Sequence, residues 1–262
     1  MFDFHLHSSV SFDSDCPATD MVATAEKLGL REICFTDHYE FSDTQGFIAE
    51  ESFDISNYEK VYSSIGSSAL KIRRGIEFGL TDRNQKELDE LCQRLNFDFV
   101  IGSVHNVNGV DPWFPPFWEK YELHEGFEAY LTRMLDYVKA HDNFDVLGHL
   151  THVSKSPFNV THEPLLYKDY ADVCDEIMKA LAEKGKGMEI NTSGVDRVGE
   201  FLPSLEFVKR FRELGGEIIT VGSDAHDTNR LGQHIDGALA IAKEVFGRVY
   251  TFENRRPIVH KL

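Results

Sequence analysis

At 262 residues the chain is long enough to bury a large core, and its length does not demand two domains. A formal net charge of −17, from 44 acidic against 27 basic residues, argues for solubility and against non-specific binding to nucleic acid or an anionic membrane. Cys16, Cys34, Cys92 and Cys174 form no Cys-x-x-Cys pair, no apolar run is long enough for a bilayer, and no basic-then-apolar leader opens the chain, so a cytoplasmic protein with reduced, buried thiols is expected.

The first predicted element is a strand. Phe2 to His7 alternates apolar and polar, which sends Phe4 and Leu6 to one face and His5 and His7 to the other. Two imidazoles placed this way can share one metal ion if later elements bring carboxylates and further histidines. Met21, Val22, Ala25 and Leu28 have helical spacing, which predicts a helix from Pro17 to Leu28 stopped by Gly29. A second strand, Arg31 to Thr36, runs into Asp37-His38. Phe41 to Phe53 reads as a loop over one end, Ser56 to Leu70 as a helix, and Lys71 to Phe78 as a third strand containing Glu77. Asn84 to Leu95 is helical, and Phe97 to Val104 is a fourth strand ending at His105.

In the loop from Asn106 to Tyr121, Pro112, Pro115 and Pro116 argue against any helix or central strand. Glu122 to His141 is a strong amphipathic helix, and Phe144 to Leu147 a fifth strand ending Gly148-His149. A helix from Leu165 to Lys184 is stopped by Gly185 and Gly187. Gly187 to Asn191 is the sixth strand. Pro203 to Leu214 is a helix with proline in its first turn. Glu217 to Gly222 is the seventh strand and ends Ser223-Asp224-Ala225-His226. A helix from Ile235 to Phe246 and a short strand, Arg248 to Phe252, complete the series.

Strands separated by helices pair in parallel through right-handed crossovers. Seven such units predict a closed or nearly closed α/β barrel over residues 1–262, with a doubly wound open sheet as the alternative. His5, His7, Asp37, His38, Glu77, His105, His149, Asn191, Asp224 and His226 all fall at or just past C-terminal strand ends, where barrel active sites sit. A lone histidine there is usually a hydrogen-bonded loop residue, and Asp37 alone could hold a turn. Glu77 is harder to dismiss. Between Ile76 and Phe78, on a buried strand, a carboxylate is costly unless a cation pairs with it. The joint pattern predicts a metal site. His124, His141, His162, His234 and His260 fit no strand end and are expected to be surface or structural. His152 could stand behind the ligands or contact substrate.

These residues carry a resemblance. His5-x-His7, Thr36-Asp37-His38, Glu77 in Gly75-Ile-Glu-Phe-Gly79, Gly102-Ser-Val-His105, Gly148-His149 and Gly222-Ser-Asp-Ala-His226 resemble the motif series of the PHP (polymerase and histidinol phosphatase) superfamily. Glu189-Ile-Asn-Thr-Ser-Gly194 and Phe252-Glu-Asn-Arg-Arg-Pro257 resemble its histidinol-phosphatase branch. The resemblance implies a single-domain, distorted (β/α)7 barrel holding up to three divalent ions at the C-terminal ends of its strands. It implies His5, His7, Glu77 and Asp224 around a first ion, and Glu77 bridging to a second that His105 and His149 complete. His38 and His226 would hold a third, whose last ligand falls on Asp13, where many relatives carry histidine; Asp15 is the alternative.

Nitrogen and carboxylate donors without thiolate suit zinc, manganese or iron. Clustered ions would lower the pKa of a bridging water and hold phosphate oxygens. His5, His7, Glu77, Asp224 and His226 are therefore expected to carry catalysis. Arg197, after the sixth strand, offers a donor fork for phosphate or is simply an exposed turn residue. His152 and Asn191 complete the expected substrate contacts. The Trp113 to Trp118 loop is either a lid over the substrate or a packed surface loop.

The implied activity is hydrolysis of L-histidinol phosphate to L-histidinol and phosphate in histidine biosynthesis, by metal-bound hydroxide and without a phospho-enzyme. Thr151-His-Val-Ser-Lys155 stands where relatives often show Asp and a basic pair, and Phe201 where they often show tyrosine. A related phosphoesterase acting on a nucleotide or sugar phosphate is the alternative. A metal-stabilised barrel serving as an interaction module is the alternative of a different class. The expected partner is a small phosphorylated substrate, not nucleic acid or membrane.

Overall fold

Parallel strands covered by helices on their outer faces read as short apolar runs. In the computed structural model, which describes residues 1–40 and 53–262, these runs are β1 (Phe2–Leu6), β2 (Glu32–Phe35), β3 (His38–Tyr39), β4 (Lys71–Gly79), β5 (Phe99–Ser103), β6 (Val146–Leu147), β7 (Gly187–Asn191) and β8 (Ile219–Gly222). The helices are α1 (Ala18–Lys27), α2 (Ile55–Ser64), α3 (Gln85–Arg94), α4 (Pro115–Lys120), α5 (Leu123–Ala140), α6 (Phe158–Thr161), α7 (Ala171–Glu183), α8 (Val195–Val198), α9 (Leu205–Glu213) and α10 (Ile235–Phe246). A hairpin of β9 (Arg248–Glu253) and β10 (Arg256–Lys261) ends the chain. Apart from Phe53, the loop predicted from Phe41 to Phe53 lies outside the described residues.

The sheet runs β1-β2-β4-β5-β6-β7-β8, with β3 paired to the C-terminal part of β4. Between β8 and β1 the seam is crossed by two backbone bonds. Asp224 N–H donates to the His5 carbonyl at 2.7 Å, and His7 N–H to the Ala225 carbonyl at 2.8 Å. The result is the nearly closed seven-strand parallel barrel expected from the strand–helix alternation. Gly222 lets the seam close, because a Cβ there would collide with the His5 side chain and the Glu189 carboxylate. Phe4 meets Phe99 edge-on at 5.6 Å, and Phe99 packs on Phe252 of the hairpin at 4.9 Å. Each such buried aromatic contributes roughly 1.5–3 kcal/mol.

The amphipathic stretch expected from Glu122 to His141 forms the longest helix, α5. Glu122 and Glu125 form a capping box at the start of α5, which buries Phe127, Tyr130, Leu131, Met134 and Val138.

The structure departs from these expectations at four points. Pro115 and Pro116 occupy the first two positions of α4, where a missing N–H breaks no helical bond, so these prolines open a helix instead of forbidding one. Pro203 precedes the N-cap Ser204 of α9 and is not in its first turn. The short terminal strand expected from Arg248 to Phe252 is followed by a second strand, β10, which pairs with it. Cys34 and Cys174 are buried, Cys16 and Cys92 only half-buried, and none is in a disulfide. No helix among the described residues is long and apolar enough to cross a membrane.

Candidate metal centre

The strand ends converge on Glu77, whose side chain is fully buried at the end of β4. Its Oε1 lies 2.7 Å from His149 Nε2 and 3.5 Å from His105 Nε2. Its Oε2 lies 3.0 Å from His5 Nε2, 3.3 Å from His38 Nδ1 and 3.4 Å from His7 Nε2. Asp224 Oδ1 is 3.3 Å from His7 Nε2 and 3.6 Å from His5 Nε2. The Asp224 backbone has φ +56°, a left-handed conformation that non-glycine residues seldom adopt and that clusters at functional sites. Asp13, from the loop before α1, sets its Oδ2 2.9 Å from His226 Nε2 and 3.4 Å from His38 Nε2.

Among the described residues four overlapping donor groups result: His5, His7, Glu77 and Asp224; His38, Glu77 and His105; His105, His149 and His152; and His7, Asp13, His38 and His226. Within each group the donor atoms lie within 4.8 Å of one another. Ligand bonds of about 2.0–2.2 Å put opposite donors roughly 4 Å apart, so each group is the size of one ion's shell. Asp15 is exposed and belongs to none of these groups, so Asp13 is the carboxylate beside His38 and His226.

The donor set fits a divalent cation on two further counts. The Nε2 of His7 is buried without a hydrogen-bond partner among the described residues, although it points between two carboxylates. An orphaned buried nitrogen costs about 1–3 kcal/mol. The Nε2 atoms of His105 and His149 also face each other at 3.4 Å, close enough for one ion to take both. The electrostatics agree. Burial alone would depress His5, yet Glu189, Glu77 and Asp224 override it and hold the imidazole well above its usual value. Burial, with His226 and His38 beside it, pushes His7 down to about 3. Burial would raise Glu77, but His5, His38 and His105 hold it well below the carboxylate range. The buried carboxylates demand positive charge, and neighbouring imidazoles cannot all supply it.

Residues that sequence reasoning passed over orient the rings. Glu189 on β7 places Oε1 2.7 Å from His5 Nδ1, while its Oε2 accepts from His149 N–H at 2.9 Å and Asn191 Nδ2 at 3.1 Å. Glu40 lies 2.6 Å from His105 Nδ1, and Ser11 Oγ 3.0 Å from His7 Nδ1. An imidazole whose Nδ1–H is given to a carboxylate presents its Nε2 lone pair outward, toward an ion. Glu189 stands between Met188 and Ile190 on a buried strand, the same signal that marked Glu77. Asp37 joins none of the donor groups. It accepts from Ser8 N–H at 2.7 Å and from Tyr62 OH, and so secures the loop that carries Ser11.

Of the expected substrate contacts, His152 stands beside the cluster, its ring 4.6 Å from that of His149 and 5.2 Å from that of His105. Arg197 on α8 lies over the indole of Trp113. Asn191 is fully buried, with Oδ1 accepting from Ser193 N–H at 2.9 Å and Nδ2 donating to Glu189, so it acts within the scaffold. Lys155, unassigned from sequence, donates to Ser193 Oγ at 3.1 Å and lies 3.6 Å from Asp224 Oδ2. Trp118 packs against Phe127 and donates Nε1–H to the Pro112 carbonyl at 2.7 Å, which makes that half of the loop a packed element. Phe201 seats its ring over Gly237 of α10.

Comparison with known proteins agrees with this centre. The family profile described as PHP domain matches residues 3–193. A Clostridium acetobutylicum protein named probable histidinol-phosphatase is 30% identical over 97% of this chain and 98% of its own. The histidinol-phosphatase of Lactococcus lactis subsp. lactis is 30% identical over 97% of this chain and 95% of its own. The crystal structure of histidinol phosphate phosphatase from Lactococcus lactis, complexed with zinc, L-histidinol and phosphate, superposes with a TM-score of 0.90 at 30% identity, covering 98% of both chains.

Proposed function

From the premise that this chain belongs to the PHP domain family, we propose that it hydrolyses L-histidinol phosphate to L-histidinol and phosphate in histidine biosynthesis. The observation that carries the reading is the set of overlapping donor groups centred on Glu77, in a chain similar over nearly its whole length to histidinol-phosphatases. In this reading residues 1–262 act as one domain, and up to three zinc, manganese or iron ions occupy the centre. His5, His7, Glu77 and Asp224 would hold the first, Glu77, His105 and His149 the second, and Asp13, His38 and His226 the third. When bound, such ions supply a water of lowered pKa and positive charge for the phosphate oxygens.

The chain's own residues position the rest. His5, His7, Glu77, Asp224 and His226 carry catalysis through what they hold, with Glu189 and Glu40 fixing the rings of His5 and His105. The Arg197 guanidinium has no hydrogen-bond or ion-pair partner among the described residues and offers its fork to two phosphate oxygens. His152 shares a donor group with His105 and His149 and would face the substrate from there, while Asn191 acts from beneath through Glu189 and Ser193. The nearby hydroxyls are committed, Ser193 Oγ to Asn191 and Asp224, and Ser103 Oγ to Glu77. The unpaired cysteines and the charge of −17 support a cytoplasmic enzyme with a small phosphorylated substrate and no nucleic-acid or membrane partner.

The test is a phosphate-release panel on zinc- or manganese-loaded protein. Far faster release from L-histidinol phosphate than from nucleotides or sugar phosphates is expected. Equal, slow rates on every monoester would reject the assigned substrate and leave a related phosphoesterase.

A further inference from the structure

We infer that Trp113 is a positioning residue: its indole is a fixed platform that holds the cationic heads of Arg197 and Lys155 at the phosphate end of the site. The inference rests on the phosphomonoesterase reading and deepens it.

The chain around the indole is pinned. Trp113 N–H donates to Asp111 Oδ1 at 2.7 Å, the Trp113 carbonyl accepts from Ser156 Oγ at 2.9 Å, and Phe114 N–H donates to the Asp111 carbonyl at 3.1 Å. Pro112 precedes the tryptophan and Pro115 follows Phe114, so their fixed φ further limits the segment. Trp113 as a whole residue is 36% exposed. Arg197 Cζ lies 4.4 Å from its centroid and Lys155 Nζ 5.5 Å, both inside the roughly 6 Å reach of a cation–π contact. The His152 ring is 6.0 Å away, which ties the platform to the edge of the metal centre. Ser156 directly follows Lys155, so the hydroxyl that anchors Trp113 sits beside one of the two cations.

This arrangement is unusual in a chain of charge −17. Among the described residues Arg197 has no carboxylate of its own, and the one near Lys155, Asp224, is already shared with His5 and His7. Two like charges gathered at one indole repel each other, and a dianion placed between them reverses that cost. A phosphate monoester is such a dianion. A rigid platform sets the spacing of the two cations before the anion arrives, so less ordering is needed on binding. The same geometry argues against the indole as a lid over the substrate's ring, because a guanidinium already lies on it.

The test compares metal-loaded wild type with Trp113→Phe, which keeps a π face, and Trp113→Leu, which keeps apolar bulk alone. The dissociation constant of inorganic phosphate is measured by calorimetry, bound metal by elemental analysis, and KM and kcat with L-histidinol phosphate. Trp113→Leu is expected to weaken phosphate about tenfold and raise KM similarly, with metal content unchanged and kcat affected less, and Trp113→Phe to recover most of the loss. Unchanged phosphate affinity in Trp113→Leu, or equal loss in both variants, would overturn the inference. Phosphate binding is read without turnover. A wild type that binds phosphate but spares histidinol phosphate therefore rejects the substrate alone, and the calorimetric comparison still decides the role of Trp113.

Discussion

Replacing Glu189 by glutamine isolates what an orienting carboxylate contributes. The side chain is fully enclosed and receives three donors: His5 Nδ1, His149 N–H and Asn191 Nδ2. Glutamine preserves the volume but turns one oxygen into an NH2, which must then face one of those donors. A hydrogen bond to a charged group contributes about 1.5–3 kcal/mol. At about 1.4 kcal/mol per decade, its loss corresponds to roughly 10- to 100-fold in affinity, the range expected when a partner behind a metal ligand is removed. The effect should fall on the ion held by His5, because Glu189 fixes that ring's tautomer. Chelator-stripped protein would be titrated with zinc against a chromophoric competitor, with circular dichroism as the check on folding. If Glu189→Gln binds as many ions as wild type with the same affinities, the orienting role assigned to Glu189 is wrong.

Further expectations concern the ligands themselves. His105→Ala and Asp224→Ala should each lower phosphate release by more than about 100-fold while leaving the barrel folded; full activity in either refutes the proposed ligation. Asp13→Asn should reduce the number of bound ions by one in elemental analysis and Asp13→His should restore it, whereas equal stoichiometry in all three proteins removes Asp13 from the third site. Stripping the metal should abolish activity and lower the melting temperature, since a ligand at 100 times its Kd adds about 2.7 kcal/mol to the folded state; an unchanged melting temperature contradicts a bound ion. Burial raises Asp111 from 3.8 to about 6. Because the folded state holds that proton more tightly, the contribution is fully present below 3.8 and is lost as pH rises through about 6. In metal-free protein, wild type should therefore lose stability relative to Asp111→Asn across that window, and parallel melting curves from pH 4 to 7 would refute it.

Much of the centre was legible because the ligands sit where barrel chemistry puts them, one step beyond a buried apolar strand. Glu77 announced itself as a charge inside such a strand. Glu189 carried the same signal between Met188 and Ile190, but its partner His5 lies across the seam from β8, and that proximity exists only after closure. Glu40 lies on the loop beyond β3, where no periodicity marks it. Proline misled at α4, since the same residue that breaks a helix interior suits its first two positions. The terminal hairpin escaped for another reason. Its turn places Asn254 and Arg255 at φ 49° and 64°, a job usually signalled by Asn-Gly. Here Arg255 takes the left-handed position, and its guanidinium is moored to Asp145 at 2.5 Å and to the Asn143 carbonyl at 2.9 Å.

The seam between β8 and β1 also orders events in time. The backbone groups that join the first and last barrel strands belong to His5, His7, Asp224 and Ala225, three of them residues of the inner donor group. A ribosome delivers His5 and His7 well before Asp224. Until then no complete inner shell exists, and a half-made chain offers an ion only scattered histidines. Under the proposed ligation, capture of that ion and docking of the last barrel strand would be one event. Metal supply would then be felt at the close of folding, as a latch on a nearly finished barrel.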